Sequence, residues 1–285
     1  MGKKLTTLYP MVQFRPDTWE IDEFDVASMF LLIGTKRALL IDCGMGIGDL
    51  KTAVEGITDK PVTLAITHAH LDHTGNIRQF SDVYIHPDGM DEPMPGDFAR
   101  RKKDTECIAI REKGRYPYDL SVDLREDYGP MPELKPLYDG WSIDLGDRTV
   151  RAFECFGHGK GAMVFLDERE RILLCGDALN YNLGLGVTSI ETALRGLERM
   201  QAHADSYDGI YNGHHDFRPL GAPLGDNCLP TVIEICRELL AGTADTRMVP
   251  SFWGPAAGRP DRLMAVKGKN FVGFDPEKIF DSQVK

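Results

Sequence analysis

The stretch Thr67-His68-Ala69-His70-Leu71-Asp72-His73 packs three imidazoles and a carboxylate into positions 68–73. It follows residues 62–66, a short apolar run of strand character. These polar side chains therefore stand at the carboxyl end of a strand, where layered α/β proteins gather their chemistry. On a helix, His70 and His73 would lie one above the other. On a loop, the four side chains can splay into two groups. One tetrahedral zinc takes about three protein ligands and a water, so two neighbouring ions need more donors than this loop holds. The rest of the chain offers His158 after the run ending at Cys155, Asp177 after the run ending at Cys175, and His214 after 210–212. Each adjoins glycine, which permits a sharp turn and close approach. Asp42, near Gly44, occupies the same kind of position.

Working outward, 24–34 and 38–42 are apolar runs separated by the charged turn Thr35-Lys36-Arg37, the pattern of a hairpin of buried strands. Residues 47–57 carry apolar side chains near helical spacing and lead into 62–66. Strand, helix and strand alternate, which predicts a layered α/β fold. Residues 87–140 are rich in proline, charge and tyrosine, with a helix expected over 97–113. This segment reads as an excursion or lid, since long loops in compact domains often carry function. Hairpins are expected at 141–155 around Gly146-Asp147-Arg148 and at 162–175 around the charged turn 167–171. Thr188-Ser189-Ile190-Glu191 reads as a capping box opening a helix to about 204. A second helix is expected over 226–240, ended by Gly242, and a last hairpin over 263–274. With no linker or repeat, 1–285 reads as a single domain.

The chain has 285 residues, 42% hydrophobic and 27% charged, enough for a large core. Lys plus Arg number 33 against 44 Asp plus Glu, a net charge of -11. That balance argues against nucleic-acid or acidic-membrane partners, which need a basic surface. No apolar run reaches membrane-helix length, and the first residues lack the apolar stretch of a signal peptide. Cysteines 43, 107, 155, 175, 228 and 236 form no CxxC pair and read as small buried hydrophobes of a reducing compartment. The expected location is the cytoplasm.

Taken in order, LLIDCGMG at 39–46, THAHLDH at 67–73, FGHGKGAMVFL at 156–166, LLCGDALN at 173–180 and YNGHH at 211–215 resemble the five motifs of the metallo-β-lactamase fold superfamily. The resemblance implies a four-layer αββα sandwich with a binuclear metal site at one edge. It implies His68, His70 and His158 on one metal, Asp72, His73 and His214 on the other, and Asp177 bridging them. Asp42 would fix a ligand histidine by accepting its other N–H. His215 would stand beside the metals or face substrate. His86 and His203 lie outside the motifs. Nitrogen and oxygen donors suit zinc, with manganese and iron also compatible. Such a pair activates a water at neutral pH for attack on a carbonyl, with Asp72 and Asp177 as the catalytic carboxylates.

The sequence departs from several branches of that superfamily. Secreted zinc β-lactamases replace the bridging aspartate, the nucleases carry basic surface, and the diiron flavoproteins place a carboxylate where His70 stands. Thioesterases of the glyoxalase II type and acyl-homoserine lactonases remain. The first have a helical C-terminal region, whereas here one helix, a Pro/Gly-rich stretch and a hairpin follow His214. The second place a tyrosine three residues after the bridging aspartate, where this chain has Asn180 and then Tyr181. The expected activity is hydrolysis of a small lactone or thioester. A mono-iron sulfur dioxygenase and a metal-stabilised binding module are the alternatives, and homo-oligomerisation stays open. Tyr116, Pro117 and Tyr118 of the excursion, with Tyr181, are the expected substrate-facing residues.

Overall fold

The computed structural model describes residues 4–111, 115–116, 118–126, 129–215, 218–251 and 259–284. Two strands absent from the sequence reading come first. β1 (Met11–Arg15) and β2 (Thr18–Asp22) pair antiparallel ahead of β3 (Ser28–Ile33) and β4 (Ala38–Ile41). Charged residues interrupt their apolar alternation, and Glu20 and Asp22 are nevertheless buried. After β4 the chain forms helix α1 (Leu50–Glu55), capped by Asp49, whose Oδ1 accepts from Thr52 N at 3.0 Å. β5 (Val62–Ala65) returns parallel to β4. The one-turn helix α2 (Leu71–Thr74) and β6 (Val83–Ile85) follow.

The segment 87–140 holds α3 (Pro87–Met90), α4 (Phe98–Arg111), α5 (Leu120–Asp123) and β7 (Leu134–Pro136). It is not wholly outside the sheet, because β7 pairs parallel with β6 and completes a seven-stranded sheet in the order β1 to β7. Positions 112–113 of the expected helix and Pro117 lie outside the described residues.

The second half supplies β8 (Ser142–Asp144), β9 (Thr149–Glu154), β10 (Met163–Asp167), β11 (Ile172–Leu174), β12 (Asn182–Gly184), α6 (Ile190–Ala202), β13 (Gly209–Tyr211), α7 (Cys228–Ala241), β14 (Thr246–Val249), β15 (Arg262–Lys267) and β16 (Asn270–Gly273). A five-stranded sheet runs β13-β11-β10-β9-β8 and a four-stranded one β12-β16-β15-β14. Helix α6 is capped by Ser189, not Thr188: Ser189 Oγ accepts from Thr192 N at 2.9 Å. Glu191 is not part of a capping box, since its Oε2 accepts instead from Asp281 N at 2.9 Å. Gly242 ends α7 in the left-handed conformation, as its sequence position predicts.

Side-chain alternation along the strands builds the layers. Phe30, Leu32, Leu39 and Ile41 of the first sheet meet Ala152, Met163, Phe165 and Leu174 of the second. On the outer face of the first, Leu31, Leu40 and Leu64 pack with Leu50 and Val54 of α1 and Ile108 of α4. On the outer face of the second, Val164 and Leu173 pack with Leu197 of α6 and Val232 and Cys236 of α7. The result is an αββα sandwich. No helix among the described residues is long and apolar enough to cross a membrane. At one edge, Ser28 N donates to Gly213 O at 2.7 Å and Met163 N to Thr67 O at 2.8 Å. These bonds join the sheets where the loops after β4, β5, β11 and β13 end.

Candidate metal centre

Asp42 ends β4 with a positive φ of 61°, a conformation a non-glycine residue adopts only when its surroundings hold it. It is buried, and its carboxylate accepts from Thr67 N at 2.7 Å, Thr67 Oγ1 at 2.8 Å and His73 Nδ1 at 2.9 Å. The loop after β5 is thereby tied to the end of β4. At His70 the chain is still extended, and it enters α2 at Leu71. That change of direction splays the motif: His68 and His70 precede the helical turn, and Asp72 and His73 lie within it.

Two donor groups result, with one carboxylate between them. His68, His70 and His158 converge, with His70 Nδ1 3.0 Å from His68 Nε2 and 3.1 Å from His158 Nε2. Asp72, His73 and His214 form the second group, with Asp72 Oδ2 3.5 Å from His214 Nε2 and 3.9 Å from His73 Nε2. Asp177 reaches both: Oδ2 lies 3.1 Å from His214 Nε2 and 3.4 Å from His158 Nε2, and Oδ1 lies 3.6 Å from His73 Nε2. Three of the remaining ring nitrogens are held from behind. His158 Nδ1 meets Gly184 O at 2.8 Å, His214 Nδ1 meets Val26 O at 2.8 Å, and His68 Nδ1 meets Thr67 Oγ1 at 3.0 Å. Such partners fix each ring so that its other nitrogen faces the centre. Gly213 is required by space, since a Cβ there would lie 2.7 Å from His73 Cε1 and 2.8 Å from Asp177 Oδ1.

The electrostatics divide the two groups. Burial, reinforced by His73 and His70, pushes the His68 imidazole well below its usual value. Burial and His158 push His70 down to about 4. Both rings therefore present lone pairs at neutral pH. On the other side, burial opposes charge, yet Asp42, Asp72 and Asp177 outweigh it and hold His73 well above the usual range. Burial likewise opposes charge on His214, but Asp177 and Asp72 push it up to about 9. Burial disfavours ionised Asp177, and His214 and His73 outweigh that and hold its carboxyl low.

These residues fit divalent cations. His73 Nε2 and Asp177 Oδ1 are buried, face the centre and have no hydrogen-bond partner among the described residues. A buried polar atom without a partner is costly, and a cation satisfies both. The donor set of imidazole and carboxylate suits zinc, manganese or iron.

The centre opens into a cavity of about 760 Å³. His70, Asp72, His158, Asp177 and His214 line its metal end, and Val26, Leu71, Ile108, Leu185 and Met264 give apolar wall. Helix α4 contributes Arg100 and Asp104, so the segment 87–140 does border the cavity.

The sequence model of the metallo-beta-lactamase superfamily matches residues 22–213, the span that carries all these donors except His214. The chain belongs to the metallo-beta-lactamase superfamily. Among curated relatives, the acyl-coenzyme A thioesterase MBLAC2 of Gallus gallus is 27% identical over 165 residues, covering 54% of this chain and 57% of that protein. An atrochrysone carboxyl ACP thioesterase of Aspergillus fumigatus is 26% identical over 179 residues, covering 60% of this chain and 34% of that protein. The chain thus matches little more than half the length of these curated relatives, or less. A metallo-beta-lactamase family protein from Thermus thermophilus superposes with a TM-score of 0.55 at 21% identity, covering 81% of this chain and 82% of that one, a likeness of fold.

Within this metallo-beta-lactamase frame, three expected substrate residues stand elsewhere. Tyr116 and Tyr118 do not line the cavity. Their rings pack on Phe24 at 5.5 and 4.7 Å, and Tyr116 Oη donates to Asp25 Oδ2 at 2.6 Å. Phe24 is buried beneath them. Tyr181 is buried in the core, where its Oη accepts from Gly225 N at 2.7 Å. His215 is apart from both donor groups, with Nε2 3.2 Å from Asp22 Oδ1 and 3.0 Å from Asp25 Oδ1. Asn180 and Arg262, which the sequence reading did not assign to the site, do line the cavity. Asn180 is buried and its Oδ1 has no hydrogen-bond partner among the described residues. Its place three residues after Asp177 was a signal. Arg262 lies in no motif.

Proposed function

We propose that the chain is a metal-dependent hydrolase of acyl thioesters, with two divalent ions, most readily zinc, and a small-molecule substrate in the cavity. The observation that carries this reading is Asp177 set between two groups of convergent donors at the end of a cavity with both apolar and charged wall. Held there, divalent ions would supply activation of a water at neutral pH and polarisation of the substrate carbonyl. His68, His70 and His158 would hold one ion, Asp72, His73 and His214 the other, with Asp177 shared. Asp42 keeps the His73 proton on Nδ1 and leaves Nε2 facing the centre. Asp72 and Asp177 stay ionised at neutral pH, because the imidazoles of His73 and His214 outweigh their burial. As anions they can accept a proton from the attacking water.

Leaving-group chemistry favours thioesters. A thiol has a pKa of about 8.5 and departs as thiolate without a proton from an acid, whereas an alkoxide needs one. The thioesterase names of the MBLAC2 relative and the fungal proteins support the same choice. The buried cysteines Cys43, Cys155, Cys175, Cys228 and Cys236 suit a reducing compartment, here the cytoplasm.

The test is metal analysis of the purified protein together with turnover of a panel of thioesters, lactones, β-lactams and phosphodiesters. Thioesters are expected to be hydrolysed fastest, by protein holding two ions per chain. Faster lactone opening, or a single iron with sulfur oxidation, would overturn the reading.

A further inference from the structure

Arg262 opens β15 and lines the cavity. Its guanidinium lies over two glycines that are register partners, Gly184 of β12 and Gly273 of β16. A Cβ on Gly184 would come within 3.0 Å of Arg262 Nη2, and one on Gly273 within 3.2 Å. The bare backbones make room for the planar group. The same point on Gly184 is 3.7 Å from His158 Nδ1, and Gly184 O receives that nitrogen's hydrogen bond. The guanidinium and a histidine of the metal centre therefore border one residue.

The neighbouring charged groups of the cavity have partners on the protein itself. Asp104 takes Arg259 Nη2 at 2.7 Å and faces Arg100 Nε at 3.7 Å. Glu92 faces Lys160 at 3.9 Å, and Asp97 accepts from Ala99 N at 2.9 Å. No hydrogen bond or ion pair ties Arg262 to any of the described residues. Arginine is always charged, and its planar fork matches the two oxygens of a carboxylate. Arg262 is exposed at the cavity wall, so its fork can take up an oxyanion of the substrate a few bonds from the scissile carbonyl. The phosphates of a coenzyme A or carrier-protein arm are separated from the thioester by the whole pantetheine chain, too far to meet Arg262 while the carbonyl sits at the metals.

We propose that Arg262 is a specificity-determining residue that seats a carboxylate carried on the acyl half of the substrate. This rests on the thioester reading above, and it makes thioesters of short dicarboxylic acids the preferred class.

The experiment compares three probes on metal-loaded protein: a neutral short-chain acyl thioester of N-acetylcysteamine, the same thioester with a terminal carboxylate on the acyl chain, and a neutral acyl-coenzyme A. Wild type is expected to prefer the carboxylate-bearing probe to its neutral twin. Arg262→Ala should lower that preference, as a ratio of kcat/KM, by about 10- to 100-fold, the range of a charge-assisted hydrogen bond. Metal content should be retained, and Arg262→Lys should recover only part of the ratio. Gly273→Ala, which crowds the guanidinium without removing its charge, should lower the ratio in the same direction. An unchanged ratio would overturn the proposal. A loss confined to the acyl-coenzyme A probe would assign the guanidinium to the carrier's phosphates and overturn it too. Calorimetric titration with glutarate separates this inference from the thioester reading. If wild type hydrolyses none of the thioesters, that reading fails, yet glutarate binding that weakens at least tenfold in Arg262→Ala still supports the carboxylate seat. Equal binding to both proteins would remove it.

Discussion

Asp177 and Asp42 carry the centre in different ways, and single substitutions should separate them. Asp177 lies within reach of both donor groups. Asp177→Ala is expected to lower metal content by one ion per chain and to abolish most hydrolysis, read by elemental analysis and thioester turnover. Full activity with two ions would remove it from the shared position. Of the side chains grouped at the centre, Asp42 meets His73, through its far nitrogen. Asp42→Ala should therefore weaken metal affinity by about 10- to 100-fold without removing any ligand, the usual effect of losing a group that orients a ligand. The adjacent histidines diverge in the same sense. His214 faces Asp177, whereas His215 turns to Asp22 and Asp25. His214→Ala should lower metal occupancy and His215→Ala should leave it intact. The reverse pattern would mean that the motif is displaced by one residue.

The element that positions His214 is the turn after β13, and it is anchored by charge rather than by apolar packing. Arg218 is buried and donates to both oxygens of Glu20 on β2, at 2.7 and 2.9 Å, and to Asn212 Oδ1 at 2.7 Å. Removing one member leaves a buried charge without its partner. Arg218→Ala is expected to destabilise the fold by about 3–5 kcal/mol in denaturant titration. Loss below about 1 kcal/mol would show that water reaches Glu20. The same pair explains why β2 escapes a reading of local pattern. Glu20 breaks the apolar alternation, and its partner stands 198 positions along the chain.

At the scale of the whole molecule, metals and protons compete for one set of buried groups. In protein stripped of metal, His214 is raised from 6.5 to about 9. A raised folded value stabilises below the unfolded value, and that contribution is lost as pH climbs through the folded one. Stability of the stripped protein should therefore fall between pH 6.5 and about 9. Asp177 is shifted the other way, so its contribution holds above its ordinary value of 3.8 and disappears as pH drops below it. Melting temperatures after chelation should thus decline at both ends, and a flat profile from pH 6.5 to 9 would contradict the charge assignment. Metal-loaded protein should melt several degrees higher, since binding to the folded state alone adds about 4 kcal/mol at a thousandfold excess over Kd. Loading at pH 7 should release protons from His73 and His214, detectable by calorimetry in buffers of different ionisation heat.

Local signals in the chain suffice for the layered α/β class, the central hairpins and the donors His68, His70, Asp72, His73, His158, Asp177 and His214. Each is an apolar run with a polar residue at its end, or several donors within one loop. That Asp177 stands between the two donor groups is implied by the resemblance to a family and not by any local signal, because it depends on how the loops after β5, β9, β11 and β13 meet at one edge. So does the placing of Tyr116 and Tyr118 on Phe24 and not in the cavity. Arg262, finally, comes beside His158 through the pairing of β12 with β16. Pairing of strands so distant in sequence leaves no periodicity to read, because the energy that selects it lies in contacts and not in either segment alone.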